Sequence, residues 1–365
     1  HLLYLPLHRF RGRDVELKTM SLGQRSARVW TGGTGEAIVL LHGGWAGAEA
    51  CWSNERDDLE RTRVARRSDD GAGRRGRHPC RQGAGRDARL QVHLCRSRPD
   101  RPHYNLNQAD LIYVEEVEWG LTRIAAMFNT KFPSVVGPTR SARISDLELL
   151  EQFTNPGLAY SGANDVLLKA IRKSQSISLS PSDRSSFYYR NLSKKAPHNQ
   201  LLRLAAMMEK ETKVAPIKDI GLTFNAAPAT GGTKTTYFQA AWSSARVSGS
   251  WTGKSWTISF DGSIHRDAVN KGFLTPKTIV LQYVERKETK YGDKFGGKTP
   301  LLKTVGSGRA IVLRNGQSFD GTWSRPTKEA GTIFSFAGSQ LAFDVGQVMI
   351  VLVDGGAKKS PVTLK

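Results

Sequence analysis

The chain has 365 residues, with 54 Lys and Arg against 33 Asp and Glu, a formal charge of +21. That length predicts two or three domains, each with a sizeable core. No run approaches the ~18 apolar residues of a membrane-spanning helix, and three cysteines at irregular spacing (Cys51, Cys80, Cys95) exclude a disulfide framework.

A sequence pI near 10.1 suits nucleic acid or another polyanion, but the placement of the charge argues otherwise. Residues 51–100 hold thirteen Arg and eight Asp or Glu and no Lys. A basic arm shaped for phosphate mixes Lys with aromatic residues. Here Arg alternates with Gly, Asp and Ala, without periodicity, and the expectation is an irregular segment unable to fold by itself. Nucleic acid is therefore not the expected partner. The opening HLLYLP is too short and too soon followed by arginines to be a signal peptide.

Glu36 to Trp52 reads EAIVLLHGGWAGAEACW. A short apolar strand followed by His-Gly-Gly resembles the first strand and oxyanion loop of α/β-hydrolases over residues 29–53. No Gly-x-Ser-x-Gly elbow follows anywhere, so this is a hydrolase beginning without its nucleophile. Gly71, Gly73 and Gly76 fit G-x-G-x-x-G but follow no apolar strand. His78, Cys80, His93 and Cys95 lack zinc-knuckle spacing, so neither metal nor cofactor is expected. The expected explanation is a junction: hydrolase-like sequence stops near Ser53, and a different protein begins near Arg101.

From Arg101 the pattern becomes regular. Gln108–Trp119 is a short helix or strand rich in apolar and acidic residues, and Leu121–Phe128 has strand character with Arg123 at its start. In VGPTRSARISDLELLEQF (136–153), Ser145 and Glu148 have the spacing of a capping box, and Ile144, Leu147, Leu150 and Phe153 give a helical stripe. A helix starting near Ser145 would bring Arg140, Ser141 and Arg143 to its positive end, an anion site in outline. Pairing of both arginines with acids such as Glu115, Glu116 or Asp146 is the competing expectation. Leu158–Ser161 reads as a strand, and Asn164 as the cap of a helix carrying Val166, Leu167, Ala170 and Ile171. Asn199 in KKAPHN reads as the cap of a further helix through Leu201, Leu204 and Met208. GPTRSAR, YSGAN and KKAPHN would then gather three helix ends at one sheet edge. Candidate ligand-binding residues are Arg123, Arg140, Ser141, Arg143, Ser161, Lys195, His198 and Asn199. His198 is the candidate general base, with Glu115 or Glu116 as its acid partner.

RPHYNLNQADLIYVEEVEWGLTRIAAMF, VGPTRSARISDLELL, YSGAND and KKAPHN, in this order, resemble the YerB-like family of bacterial lipoproteins of unknown function. The resemblance covers about residues 101–354. It implies an extracytoplasmic, membrane-anchored protein with an α+β first domain and a β-rich second domain. It also implies an apolar first strand before RPHY, a position filled here by the Arg-rich run, and a signal peptide and lipid-bearing cysteine that this chain does not show.

Pro228–Lys234 reads as an inter-domain linker. Strands are predicted at 236–242, 255–260, 278–285, 309–314, 318–324, 332–336 and 347–353, with turns at Asp261-Gly262, Asn315-Gly316 and Ala337-Gly338. Gly292, Gly297, Lys298 and Thr299 satisfy the P-loop pattern, but no strand runs into Gly292 and Pro300 begins another strand, so a hairpin loop is expected. Trp242, Trp251, Trp256 and Trp323 could line a sugar surface, although large rings dominate small β cores.

The sequence thus predicts an α+β protein: an irregular N-terminal segment (1–100), an α/β domain (101–220) and an antiparallel β-rich domain (235–354). The expected role is binding of an anionic small molecule or envelope glycan, or hydrolysis or transfer acting on it through His198.

Overall fold

The structure is a computed structural model that describes residues 15–22, 25–32, 90–95, 100–215, 219–292 and 296–365. The chain divides into two compact units, His1–Cys80 and Arg81–Lys365. In the first, β1 (Val15–Leu22) and β2 (Arg25–Gly32) form an antiparallel hairpin. The hydrolase-like stretch beyond Gly32, the glycine triplet at 71–76 and the His78–Cys80 pair lie outside the described residues.

The second unit is built on a 13-stranded sheet. Its first strands are β3 (Leu90–Cys95), β4 (Leu111–Glu116), β5 (Thr122–Phe128), β6 (Gly157–Ala159) and β7 (Ile177–Ser178). A separate hairpin joins β8 (Tyr188–Arg190) to β9 (Gln200–Leu202). Further along come β10 (Thr233–Lys234), β11 (Tyr237–Ala241), β12 (Arg246–Trp251), β13 (Trp256–Phe260) and β14 (Ser263–Ile264). The rest are β15 (Thr278–Lys287), β16 (Leu301–Lys303), β17 (Gly306–Arg314), β18 (Gln317–Arg325), β19 (Ile333–Phe336), β20 (Ser339–Gln340), β21 (Val348–Asp354) and β22 (Val362–Leu364).

The long sheet runs β20-β19-β18-β17-β15-β21-β4-β5-β3-β6-β7, with β10 on β18 and β16 on β15. Strands of both predicted domains therefore share one sheet, joined where β21 pairs in parallel with β4, Val348↔Leu111 to Val351↔Val114. The predicted linker at 228–234 ends in β10, which pairs with β18 of the second half, and does not separate two bodies, because β21 pairs with β4 across the halves. A second, five-stranded antiparallel sheet runs β14-β13-β12-β11-β22. Side chains of both sheets meet in one core, with Val92, Ile112, Ile124 and Met349 from the long sheet and Phe238, Trp256 and Ile258 from the shorter one.

The second half follows its sequence pattern closely. Asn315-Gly316, Asp261-Gly262 and Ala337-Gly338 all have positive φ at both residues and close two-residue hairpins, the backbone a type I′ turn demands. Gly292 and Lys298 bridge across an antiparallel hairpin loop and Leu301–Lys303 follows as β16, so the P-loop pattern is a loop between strands. Trp256 and Trp323 are buried, and Trp251 lies 5.4 Å from Trp256, so these three are core rings and not a sugar surface.

The first half departs from its predicted α/β layering. Its sheet is mixed, and three short helices occur among the described residues: α1 (Ile144–Leu150), α2 (Asp165–Lys173) and α3 (Leu204–Lys210). Only β6–α2–β7 is a β-α-β unit with parallel strands. The apolar first strand is present: β3 sits between β5 and β6, with Val92 and Leu94 fully buried. Folded sequence thus begins before Arg101, inside the segment expected to be irregular.

One shared sheet implies one unfolding event for the Arg81–Lys365 unit. Leu94→Ala and Met349→Ala, at fully buried positions in the two halves, should each cost about 2–5 kcal/mol. Both should shift the same single transition in urea, followed by tryptophan fluorescence and far-ultraviolet circular dichroism. Two transitions moved separately would contradict the shared sheet.

Candidate functional site

Backbone pairing, not helix ends, brings the three motifs together. Val136 exchanges hydrogen bonds with Leu202, and Thr139 N donates to Gln200 O at 2.8 Å, which lays GPTRSAR along β9 just after KKAPHN. On its other side Ser161 N donates to Arg140 O at 2.9 Å and Ala142 N to Gly162 O at 3.0 Å, adding YSGAN. Gly137 is required for this approach: its φ is +146°, and a Cβ there would lie 2.7 Å from the Leu201 side chain and 3.0 Å from Gln200 O.

The predicted caps divide. Asn164 caps α2, its Oδ1 accepting from Leu167 N at 2.9 Å. The cap of α1 is Arg143, whose backbone N–H donates to the Asp146 carboxylate at 2.5 Å. Ser145 and Glu148 imitate a capping box but serve the strand across from them: Ser145 Oγ accepts from Leu302 N at 3.0 Å, and Glu148 Oε1 from Val305 N at 3.0 Å. Asn199 caps no helix, because residues 200–202 are β9 and α3 starts at Leu204. Its amide ties the turn instead, accepting from Arg190 and donating to Lys194 O, both within 2.9 Å.

The side chains of Arg140 and Arg143 pair with different acids, Asp100 and Glu118, neither of them one the sequence suggested, although the Arg143 backbone does meet Asp146. Arg143 Nε lies 2.7 Å from Glu118 Oε1, and its Nη2 donates to Oε2 at 2.8 Å. Its Nη1 donates to the carbonyls of Ser141 and Ala142, so Ser141 contributes through its backbone. Burial pushes the Glu118 carboxyl up, but the Arg143 pair and a hydrogen bond from Thr299 outweigh it and hold it below the usual glutamate value. Arg143 is thereby a structural cation. Arg140 instead meets Asp100 and His198. Its Nη1 lies 3.1 Å from Asp100 Oδ1 and 2.9 Å from His198 Nδ1, and His198 Nδ1 lies 3.1 Å from the same Asp100 oxygen.

Around this trio the charge is mostly positive. Lys194 Nζ donates to the carbonyls of Asp100 and Arg101, and burial pushes its ammonium below the usual lysine value while Asp100 pulls it back. Lys195 is exposed, with its carbonyl accepting from His198 N at 3.0 Å. Asp100 is fully buried, and the His198 side chain keeps 27% of its surface open. Asp100, Lys194 and Arg190 were not among the predicted site residues. Asp100 closes the Arg-rich run, whose composition concealed it.

Glu115, Glu116 and Arg123 do not join this cluster. Glu116 pairs with Arg286 at 3.1 Å. Glu115 is buried against Asp146, which also accepts from Gln91 Nε2 at 2.8 Å. Burial first, and then the Asp146 charge, push Glu115 well above its usual value, with Arg143 and Arg123 pulling it back. Arg123 is the direct cross-strand neighbour of Glu115 and is itself buried. A cleft of about 530 Å³ is lined by Leu121, Thr122, Trp242, Arg246 and Asp261 among others, and not by Arg140 or His198. In the His198 cluster the imidazole is the part-exposed member and Asp100 the buried one.

Fold and cluster together define a sheet-dominated body whose three sequence motifs meet at an Asp–His–Arg group. The family described as "Protein of unknown function (DUF3048)" matches through its N-terminal domain over residues 85–216 and its C-terminal domain over residues 237–350. The chain belongs to that family. Its fold is similar to the crystal structure of YerB protein from Bacillus subtilis, at 18% identity and a TM-score of 0.64, covering 76% of this chain and 94% of that one. No curated protein matches the chain. The family's first domain begins at residue 85, just ahead of β3, which agrees with the strand found there.

The carboxyl pair gives a pH signature. With its folded value raised above 4.5, Glu115 keeps a proton that the unfolded chain gives up, so stability falls as pH rises above that point. Glu115→Gln removes the effect. As pH rises above about 4.5 the denaturation midpoint of the variant should gain on the wild type, until Glu115 ionises in the folded protein as well. A difference independent of pH would contradict the shared proton.

Proposed function

We propose that the chain binds an anionic, phosphate- or carboxylate-bearing ligand at the surface formed by Arg140, Ser161, Lys195 and His198. One observation carries this reading: four cations meet at the 194–199 turn, with Arg140 on the Asp100 carboxylate, Lys194 on the Asp100 and Arg101 carbonyls, Arg190 on the Asn199 amide, and Lys195 exposed beside them. An anion would find the excess positive charge there, with exposed Lys195 and the open edge of His198 as first contacts. The resemblance to lipoproteins supports a cell-envelope glycan as the ligand and an extracytoplasmic, membrane-associated setting.

A second reading has its own observation. Asp100 stands 3.1 Å from His198 Nδ1, the relation in which a carboxylate orients an imidazole as general base. In this reading the chain is a hydrolase or transferase for the same ligand, with Asp100 in the place expected for Glu115 or Glu116.

Thermal unfolding of the intact chain against phosphorylated and carboxylated glycans tests both. A ligand at a hundred times its dissociation constant adds about 2.7 kcal/mol of stability. Lys195→Ala should abolish that shift while moving the unliganded stability by no more than about 0.5 kcal/mol, and His198→Ala should abolish it too, at a larger cost because it removes a partner of the buried Asp100. A shift surviving both substitutions would place binding elsewhere. Product formed by wild type but not by His198→Ala would favour the enzyme.

A further inference from the structure

Arg140 Nη1 bears two hydrogens and faces two atoms, Asp100 Oδ1 at 3.1 Å and His198 Nδ1 at 2.9 Å. A guanidinium donates and never accepts, so Nδ1 must offer its lone pair. The imidazole proton of neutral His198 then sits on Nε2. In that state Nε2 donates hydrogen bonds and cannot take up a proton. His198 as drawn by its neighbours is therefore a receptor group and not a base.

The same geometry holds a second state. If Arg140 turned away, Nδ1 would still lie 3.1 Å from Asp100 Oδ1. The favourable partner for a carboxylate is a donor, so the proton would move to Nδ1, exchanging through solvent, and Nε2 would be left bare. No net proton is gained or lost. The other charged groups at the cluster do not compete for Nδ1, since Lys194 Nζ is held by the Asp100 and Arg101 carbonyls and Lys195 is exposed.

We infer that Arg140 is a ligand-operated latch: by leaving His198 for a bound anion, it moves the imidazole proton from Nε2 to Nδ1 and turns a receptor into a base. Asp100 is the positioning residue that makes the second state possible. The trigger rests on the anion-binding reading, whereas the resting state does not. The latch reconciles the two proposed functions, because binding and proton abstraction become successive states of one site.

Nitrogen-15 spectra of the imidazole groups in the intact chain test this directly, since protonated and bare ring nitrogens resonate far apart. His198 is identified among the chain's 8 histidines by comparison with His198→Gln, at about pH 8, where an ordinary imidazole is neutral. The expected result is Nε2–H in the wild type, Nδ1–H in Arg140→Ala, and movement toward Nδ1–H when inorganic phosphate is added to the wild type. Nδ1–H in the unliganded wild type overturns the latch, and that measurement stands even if Arg140→Ala does not fold. An unchanged Nε2–H form in folded Arg140→Ala overturns it equally. Phosphate without effect on a wild type whose Arg140→Ala variant does switch would refute the anion trigger and keep the latch.

Discussion

The short parallel ladder between β21 and β4 is the contact on which the rest of the molecule depends. Val348–Val351 pairs with Leu111–Val114, and β21 pairs on its other side with β15 over seven residues. Remove this seam and the family's two segments lose their common sheet. Its register is fixed because both faces are buried: Met349 and Val351 fully on one side, Ile350 and Leu352 nearly so on the other. A slip of one residue would exchange every one of those side chains between faces. A second set of ties reinforces the seam, as Ser145 and Glu148 of α1 take hydrogen bonds from residues 302–305. Arg325, fully buried, donates to Glu148 O from the same side.

The β-rich half was legible because its signals are local. Alternating apolar residues and Asn-Gly, Asp-Gly and Ala-Gly turns determine strands and hairpins over a dozen residues, and nothing distant overrides them. β3 was hidden by its surroundings. Its own sequence, LQVHLC, alternates as a strand should, and Val92 and Leu94 do face the core. Thirteen arginines nearby made the whole region look foldless. The caps failed for a different reason. Ser145 and Asn199 have the chemistry of helix caps, but tertiary partners claimed them first, a strand in one case and a turn in the other.

The candidate site shows the same division. That three motifs meet could be read from their order, although backbone pairing and not helix dipoles assembles them. Which cations are engaged could not be read. Arg143 finds Glu118, 25 positions away, and His198 finds Asp100, 98 positions away. Pairings of that span leave no trace in spacing. A guanidinium near a helix start is therefore weak ground for an anion site until its carboxylate partner is known, and Arg140 and Arg143 in one motif illustrate both outcomes.

The seam also decides when this protein can exist at all. Gln347, at the entrance to β21, donates to Ala109 O across 238 positions of chain. As the polypeptide emerges from the ribosome, β4 leads by more than two hundred residues the strand that must cover its edge. Until then β4 presents an apolar, hydrogen-bond-hungry border, the kind of surface that recruits chaperones or other chains. The N-terminal family segment cannot complete its sheet until β21 has been made.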